Sequence, residues 1–140
     1  MSEERSDADP DKTSNIWSPD LKFRYSTDQV LEFARFMDFV YERQIDIMRD
    51  LHKIVIIRAV AQTKMAVGHG SNALSLSDAL NIPRETVRRK CDELIKEGWL
   101  IREGQELLPG PSITTEVLNV VDENIDRMIL AAKKIEDAAT

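Results

Sequence analysis

The residues with the most chemistry to offer stand together at Arg84-Glu85-Thr86-Val87-Arg88-Arg89-Lys90. A guanidinium presents a planar fork that matches the O6 and N7 edge of guanine, and a carboxylate accepts from the N4 amine of cytosine; both suit the reading of base edges. Placed on a helix, Val87, Cys91 and Leu94 fall within about 60° of one another while Glu85 and Arg89 lie on the opposite side. The inner side is then core, and the outer side, flanked by Arg84, Arg88 and Lys90, can lie against a groove. Ser77, Thr86 and Lys90 offer hydroxyl and ammonium groups suited to phosphate oxygens. A plainer role competes, because Glu85 with Arg89, Arg88 with Asp92, and Arg89 with Glu93 all have the i,i+4 spacing of surface ion pairs.

Other chemistries lack their residues. Cys91 is the single cysteine, and with only His52 and His69 beside it there is no ligand set at zinc spacing. Its inward position makes Cys91 a small core residue rather than a redox sensor. The chain has no Ser-His-Asp or Cys-His set, phosphate-binding glycine loop or dinucleotide motif, so neither an enzyme nor a cofactor is expected.

Several elements must position the basic segment. Ser75 and Asp78 have the spacing of a capping box and predict a short helix through Leu80. Asn81-Ile82-Pro83 makes a turn, with Pro83 suited to the first position of a second helix over residues 83–97 that ends at Gly98. Trp99 to Arg102 and Glu106 to Leu108 then read as two short strands around Glu103-Gly104-Gln105, a tight hairpin. Arg102 and Gln105 sit on that hairpin, where a tip can reach a minor groove or backbone. Trp99, Leu100 and Ile101 are expected to close the hairpin on the helices.

Flanking this part are two long amphipathic patterns. Val30, Ala34, Met37, Tyr41, Ile45, Met48 and Leu51 recur at three- and four-residue spacing, capped by Ser26 or Thr27, and predict a helix over residues 26–50. Phe33, Phe36 and Phe39 widen its apolar face beyond one stripe; a second chain covers such a face most simply, with a small-molecule pocket as the other option. A further helical stretch runs from Leu51 to Val67 and stops at Gly68-His69-Gly70-Ser71, with no Gly or Pro to mark its junction with the first. After Pro109-Gly110-Pro111, a last helix from Thr114 to Ala138 carries a stripe of Val117, Val121, Ile125, Met128, Ala132 and Ile135 suited to a partner helix.

At 140 residues, 42% hydrophobic and 31% charged, the chain has the size and balance of one soluble globular domain. No apolar run approaches the ~20 residues of a membrane span, and residues 1–10 lack the features of a secretory signal, so a cytoplasmic place is expected. The net charge of −6 is unevenly spread: residues 1–50 carry −5, residues 51–110 carry +2 and residues 111–140 carry −3. The middle of the chain is the net-positive part, and the local field at a docking face matters more than the total.

Arg84-Glu85-Thr86-Val87-Arg88-Arg89 resembles the start of the recognition helix in the cyclic-AMP receptor protein family of bacterial regulators, over a match from Ser75 to Pro109. That resemblance implies base contacts by Arg84, Glu85 and Arg89. The cyclic-nucleotide barrel of that family has no counterpart in the helices that precede residue 75, so cyclic-nucleotide control is not implied. In layout, with helices on both flanks, the chain is similar to dimeric regulators of the multiple-antibiotic-resistance and phenolic-acid repressor type.

The expectation is therefore a mainly α, winged helix-turn-helix protein with a short β-hairpin wing. It has a flexible arm over residues 1–25, where Ile16, Trp17, Leu21, Phe23 and Tyr25 can dock on the body or on a partner. A dimerisation helix covers residues 26–50, a DNA-binding domain residues 51–110 and a second dimerisation helix residues 111–140. As a homodimer it would bind double-stranded DNA as a transcription regulator, for instance a repressor that blocks polymerase, with a small-molecule effector left open. The alternative is a winged-helix adaptor that binds proteins without reading bases.

Overall fold

The computed structural model describes residues 24–139, and most of the arm expected over residues 1–25 lies outside them. The chain is mainly helical: α1 (Thr27–Ile47), α2 (Leu51–Val67), α3 (Ala73–Leu80), α4 (Arg84–Lys96), β1 (Leu100–Glu103), β2 (Glu106–Pro109) and α5 (Thr115–Ala138) follow in order. Contacts divide the described residues into two units, Gln44–Val120 and residues 24–43 with 121–139. Among the described residues, no helix is long and apolar enough to cross a membrane.

In the unit Gln44–Val120, local signals start and stop each helix. Asp50 caps α2 by accepting from the Lys53 backbone N–H at 3.1 Å, so the helix expected to reach residue 50 ends instead at Ile47. Gly68, at φ +83°, closes α2. The capping box of α3 is made by Asn72, whose side chain accepts from the Ser75 N–H at 2.9 Å while the Ser75 hydroxyl faces the Asn72 N–H. This corrects the box expected from Ser75 and Asp78: Ser75 answers the cap rather than forming it. Asn81 takes the left-handed conformation at the end of α3 with φ +56°, and Pro83 stands just before α4 rather than inside it.

Helix α4 ends in a Schellman motif. Gly98 has φ +82°, its N–H donates to Ile95 and that of Trp99 donates to Leu94 at 2.9 Å. The chain thereby turns directly into β1, which pairs antiparallel with β2 from Leu100 opposite Pro109 to Glu103 opposite Glu106. Gly104, at φ +61°, opens the two-residue turn, in keeping with the twist that joins tight hairpins. Ser71 adds an isolated bridge to Leu107, with backbone bonds of 3.0 and 2.7 Å. Gly70 makes that approach feasible, because a Cβ there would stand 2.7 Å from the Leu107 carbonyl oxygen.

One core closes this unit. Ile56 and Val60 from α2, Leu76 from α3, Ile82 from the turn, Val87, Cys91 and Leu94 from α4, and Leu100 and Leu107 from the hairpin form a single buried cluster, with Trp99 packed against it. Each large aliphatic side chain buried this way favours folding by roughly 1.5–3 kcal/mol. Burial pushes the Cys91 thiol up to about 11, consistent with its expected place in the core. Ile101 departs from expectation: alternation along β1 turns it outward, 37% exposed.

The second unit joins residues 24–43 with 121–139 on different terms. Ser26 and Gln29 form a capping box at the start of α1, and buried Gln29 also donates to the Ile135 carbonyl at 2.9 Å. The Arg127 guanidinium lies 4.1 Å from the centre of the Phe39 ring, and Arg43 pairs with Glu123. Phe33 lines an apolar cavity of about 470 Å³ with Tyr25, Gln29, Val30 and Ile135. No residue of α5 is buried, and Val121, Ile125, Met128 and Ile129 are about half exposed, as are Leu31, Phe33 and Tyr41 of α1.

Candidate nucleic-acid interface

The 3.6-residue period of α4 places its chemistry. Val87, Cys91 and Leu94 are buried, which fixes the rotation of the helix and leaves Arg84, Glu85, Arg88, Arg89 and Asp92 exposed. Arg84, the first residue of the helix, has no carboxylate partner among the described residues. Thr86 is half-buried at the side of the helix.

The remaining charges on this face are tied to one another. Arg88 forks onto Glu85, with Nε donating to Oε1 at 3.2 Å and Nη2 to Oε2, and its Nη1 donates to Asp92 Oδ2 at 3.0 Å. The hydrogen bonds and charge of Arg88 hold the Glu85 carboxyl below its ordinary range. Asp92 reaches Arg102 of β1 through its other oxygen at 3.6 Å. Arg89 lies 3.6 Å from Glu93. Of the three i,i+4 pairs the spacing allowed, Arg88–Asp92 and Arg89–Glu93 are present, while Glu85 turns to Arg88 at i+3.

A second set of ion pairs fixes α4 to the start of α2. Lys90 lies beside the core stripe, its side chain 15% exposed, with Nζ 2.5 Å from Asp50 Oδ2. Burial pushes the Asp50 carboxyl up, but the Lys90 bond, the Lys53 N–H and the two ammonium charges together hold it below its ordinary range. The Lys53 ammonium bonds Glu97 at 2.8 Å and Glu93 at 3.1 Å. Glu97 chiefly raises its pKa. Lys90, expected among the phosphate ligands, thus has its charge engaged within the fold.

Ser77 is also engaged, its hydroxyl donating to the Ile82 carbonyl at 2.6 Å and bracing the turn between α3 and α4. Gln105 is exposed in the hairpin turn beside Arg102. The spacing pointed to Asp92 as a partner of Arg88 but not of Arg102, and nothing in it pointed to Asp50 as a residue organising this face. An aspartate just before a long apolar-periodic helix is a recognisable cap signal, whereas the Lys90 contact crosses from one helix to another and leaves no local trace. Compared with protein-family models, curated protein sequences and solved structures, the chain matched none.

Proposed function

We propose that this protein is a homodimeric, sequence-specific DNA-binding regulator of transcription. In this reading α3 and α4 form a helix-turn-helix, the β1–β2 hairpin is its wing, and α4 enters the major groove. The observation that carries the reading is the outer face of α4: Arg84, Glu85 and Arg89 stand exposed on a helix whose opposite side is locked into the core. Those side chains have the donor and acceptor geometry for guanine and cytosine edges, and the hairpin follows within a few residues. The exposed apolar residues of α1 and α5 supply a surface on which two copies can join. Two-fold symmetry then calls for a palindromic site with half-sites about one helical turn apart.

The test is selection from a random duplex pool at near-physiological salt, with an Arg84→Ala/Arg89→Ala variant in parallel. The proposal expects a palindrome enriched by the native protein and lost by the variant. The same contacts also favour a second reading, since Arg88, Lys90 and Arg102 are all engaged by carboxylates: a winged-helix adaptor that binds a protein. A folded native protein that enriches no sequence would turn the assignment to that reading.

A further inference from the structure

Arg88 is the most heavily engaged cation on the outer face of α4, and its position does not match that of a free base reader. Its fork covers one edge of the Glu85 carboxylate, while Asp92, one turn further along, fixes the guanidinium from the other side. Asp92 in turn shares its second oxygen with Arg102 on β1. Four side chains of alternating sign thus run from the first turn of α4 to the hairpin. A glutamate side chain three-quarters exposed, as Glu85 is, would otherwise range over many rotamers. A carboxylate has about four lone-pair sites, so the edge bound by Arg88 leaves the others open to a donor from outside.

From this geometry we infer that Arg88 is a positioning residue: it holds the Glu85 carboxylate in one orientation for a cytosine amine, and the Asp92–Arg102 pair anchors that hold to the hairpin. The inference rests on the DNA-binding reading and assigns a division of labour within it. Arg84 and Arg89, the latter held only by its 3.6 Å contact with Glu93, serve the bases, Glu85 accepts, and Arg88 fixes the acceptor. The planar fork is essential to this role. Lysine carries the same charge but offers a single ammonium, which cannot hold both carboxylate oxygens in a plane.

The experiment compares binding to a duplex selected by the native protein with binding to its single-base variants. Glu85→Ala is expected to erase a preference for cytosine at one position of each half-site. Arg88→Lys, with the charge kept, weakens that same preference about tenfold, the scale of one good base contact, and leaves affinity for unrelated duplex within about twofold because phosphate attraction is unchanged. The double variant Glu85→Ala/Arg88→Lys discriminates no worse than Glu85→Ala, since Arg88 acts through Glu85. Asp92→Asn gives a smaller loss at the same position. Equal loss of affinity on every duplex by Arg88→Lys would make Arg88 a phosphate ligand, and lost preference at a different base pair would make it a reader. Either result overturns the inference while the DNA-binding reading stands. A native protein that selects no duplex overturns that reading and the inference with it.

Discussion

Helices α4 and α5 meet opposite fates within one chain. With 13 residues, α4 buries three and is held by its neighbours on a closed core; with 24 residues, α5 buries none. Both are amphipathic, so the difference lies in what each apolar stripe meets. The stripe of α4 packs against side chains from α2, α3 and the hairpin, which fixes the direction of its charged face. Val121, Ile125, Met128 and Ile129 of α5 remain about half exposed, more large apolar surface on one helix than a lone soluble chain ordinarily leaves. One helix is completed by its own chain, and the proposed homodimer supplies what the other lacks.

The largest expected effect tests the closed side of this comparison. Leu94→Ala opens a cavity in the core and should lower unfolding free energy by about 3 kcal/mol, read as a shift of the urea midpoint whose size is the same at every protein concentration. Next, Ile125→Glu with Met128→Glu places charges on the open stripe of α5 and should weaken self-association at least about a hundredfold, measured by sedimentation. If the pair unfolds the protein at every concentration instead, the stripe belongs to the core of a single chain and the comparison fails.

Arg84→Ala sharpens the comparison from the other face of α4. It should cost about 1–3 kcal/mol on the selected duplex and relax preference at one base pair, with the melting temperature unchanged. The smallest effect concerns the tie between α2 and α4. Asp50→Asn keeps a competent helix cap but loses the Lys90 ion pair, and should reduce stability by about 1 kcal/mol. Because the carboxyl of Asp50 is lowered in the folded protein, its contribution is present above the ordinary carboxylate range and is lost as pH falls through the folded value. Acid titration of stability should therefore be less steep in Asp50→Asn than in the native protein.

Much of the helical order and the hairpin was legible because the signals are local. Gly98 marks the end of α4 through its left-handed backbone, Gly104 marks the hairpin turn, and the spacing of Val87, Cys91 and Leu94 orients the helix. Less legible were features made by contacts distant in sequence. Ser71 pairs with Leu107 through a single bridge, which has no periodicity to read. The break between α1 and α2 carries neither glycine nor proline and depends on the Asp50 cap. At the candidate interface, helical spacing placed Glu85 and Arg89 on the outer face with Arg84 at its flank, but it could not show that Lys90 would meet Asp50, that Ser77 would brace the turn through Ile82, or that Glu85 would pair with Arg88 rather than Arg89.

The most direct test of the central claim is a titration of isotope-labelled protein with the selected duplex, followed through backbone amide chemical shifts. The account predicts the largest changes from Arg84 to Arg89, with smaller ones at Gly104 and Gln105 and little change along the exposed stripe of α5. Changes concentrated on α1 and α5 with α4 unmoved, or none anywhere at saturating duplex, would contradict the assignment of base reading to α4.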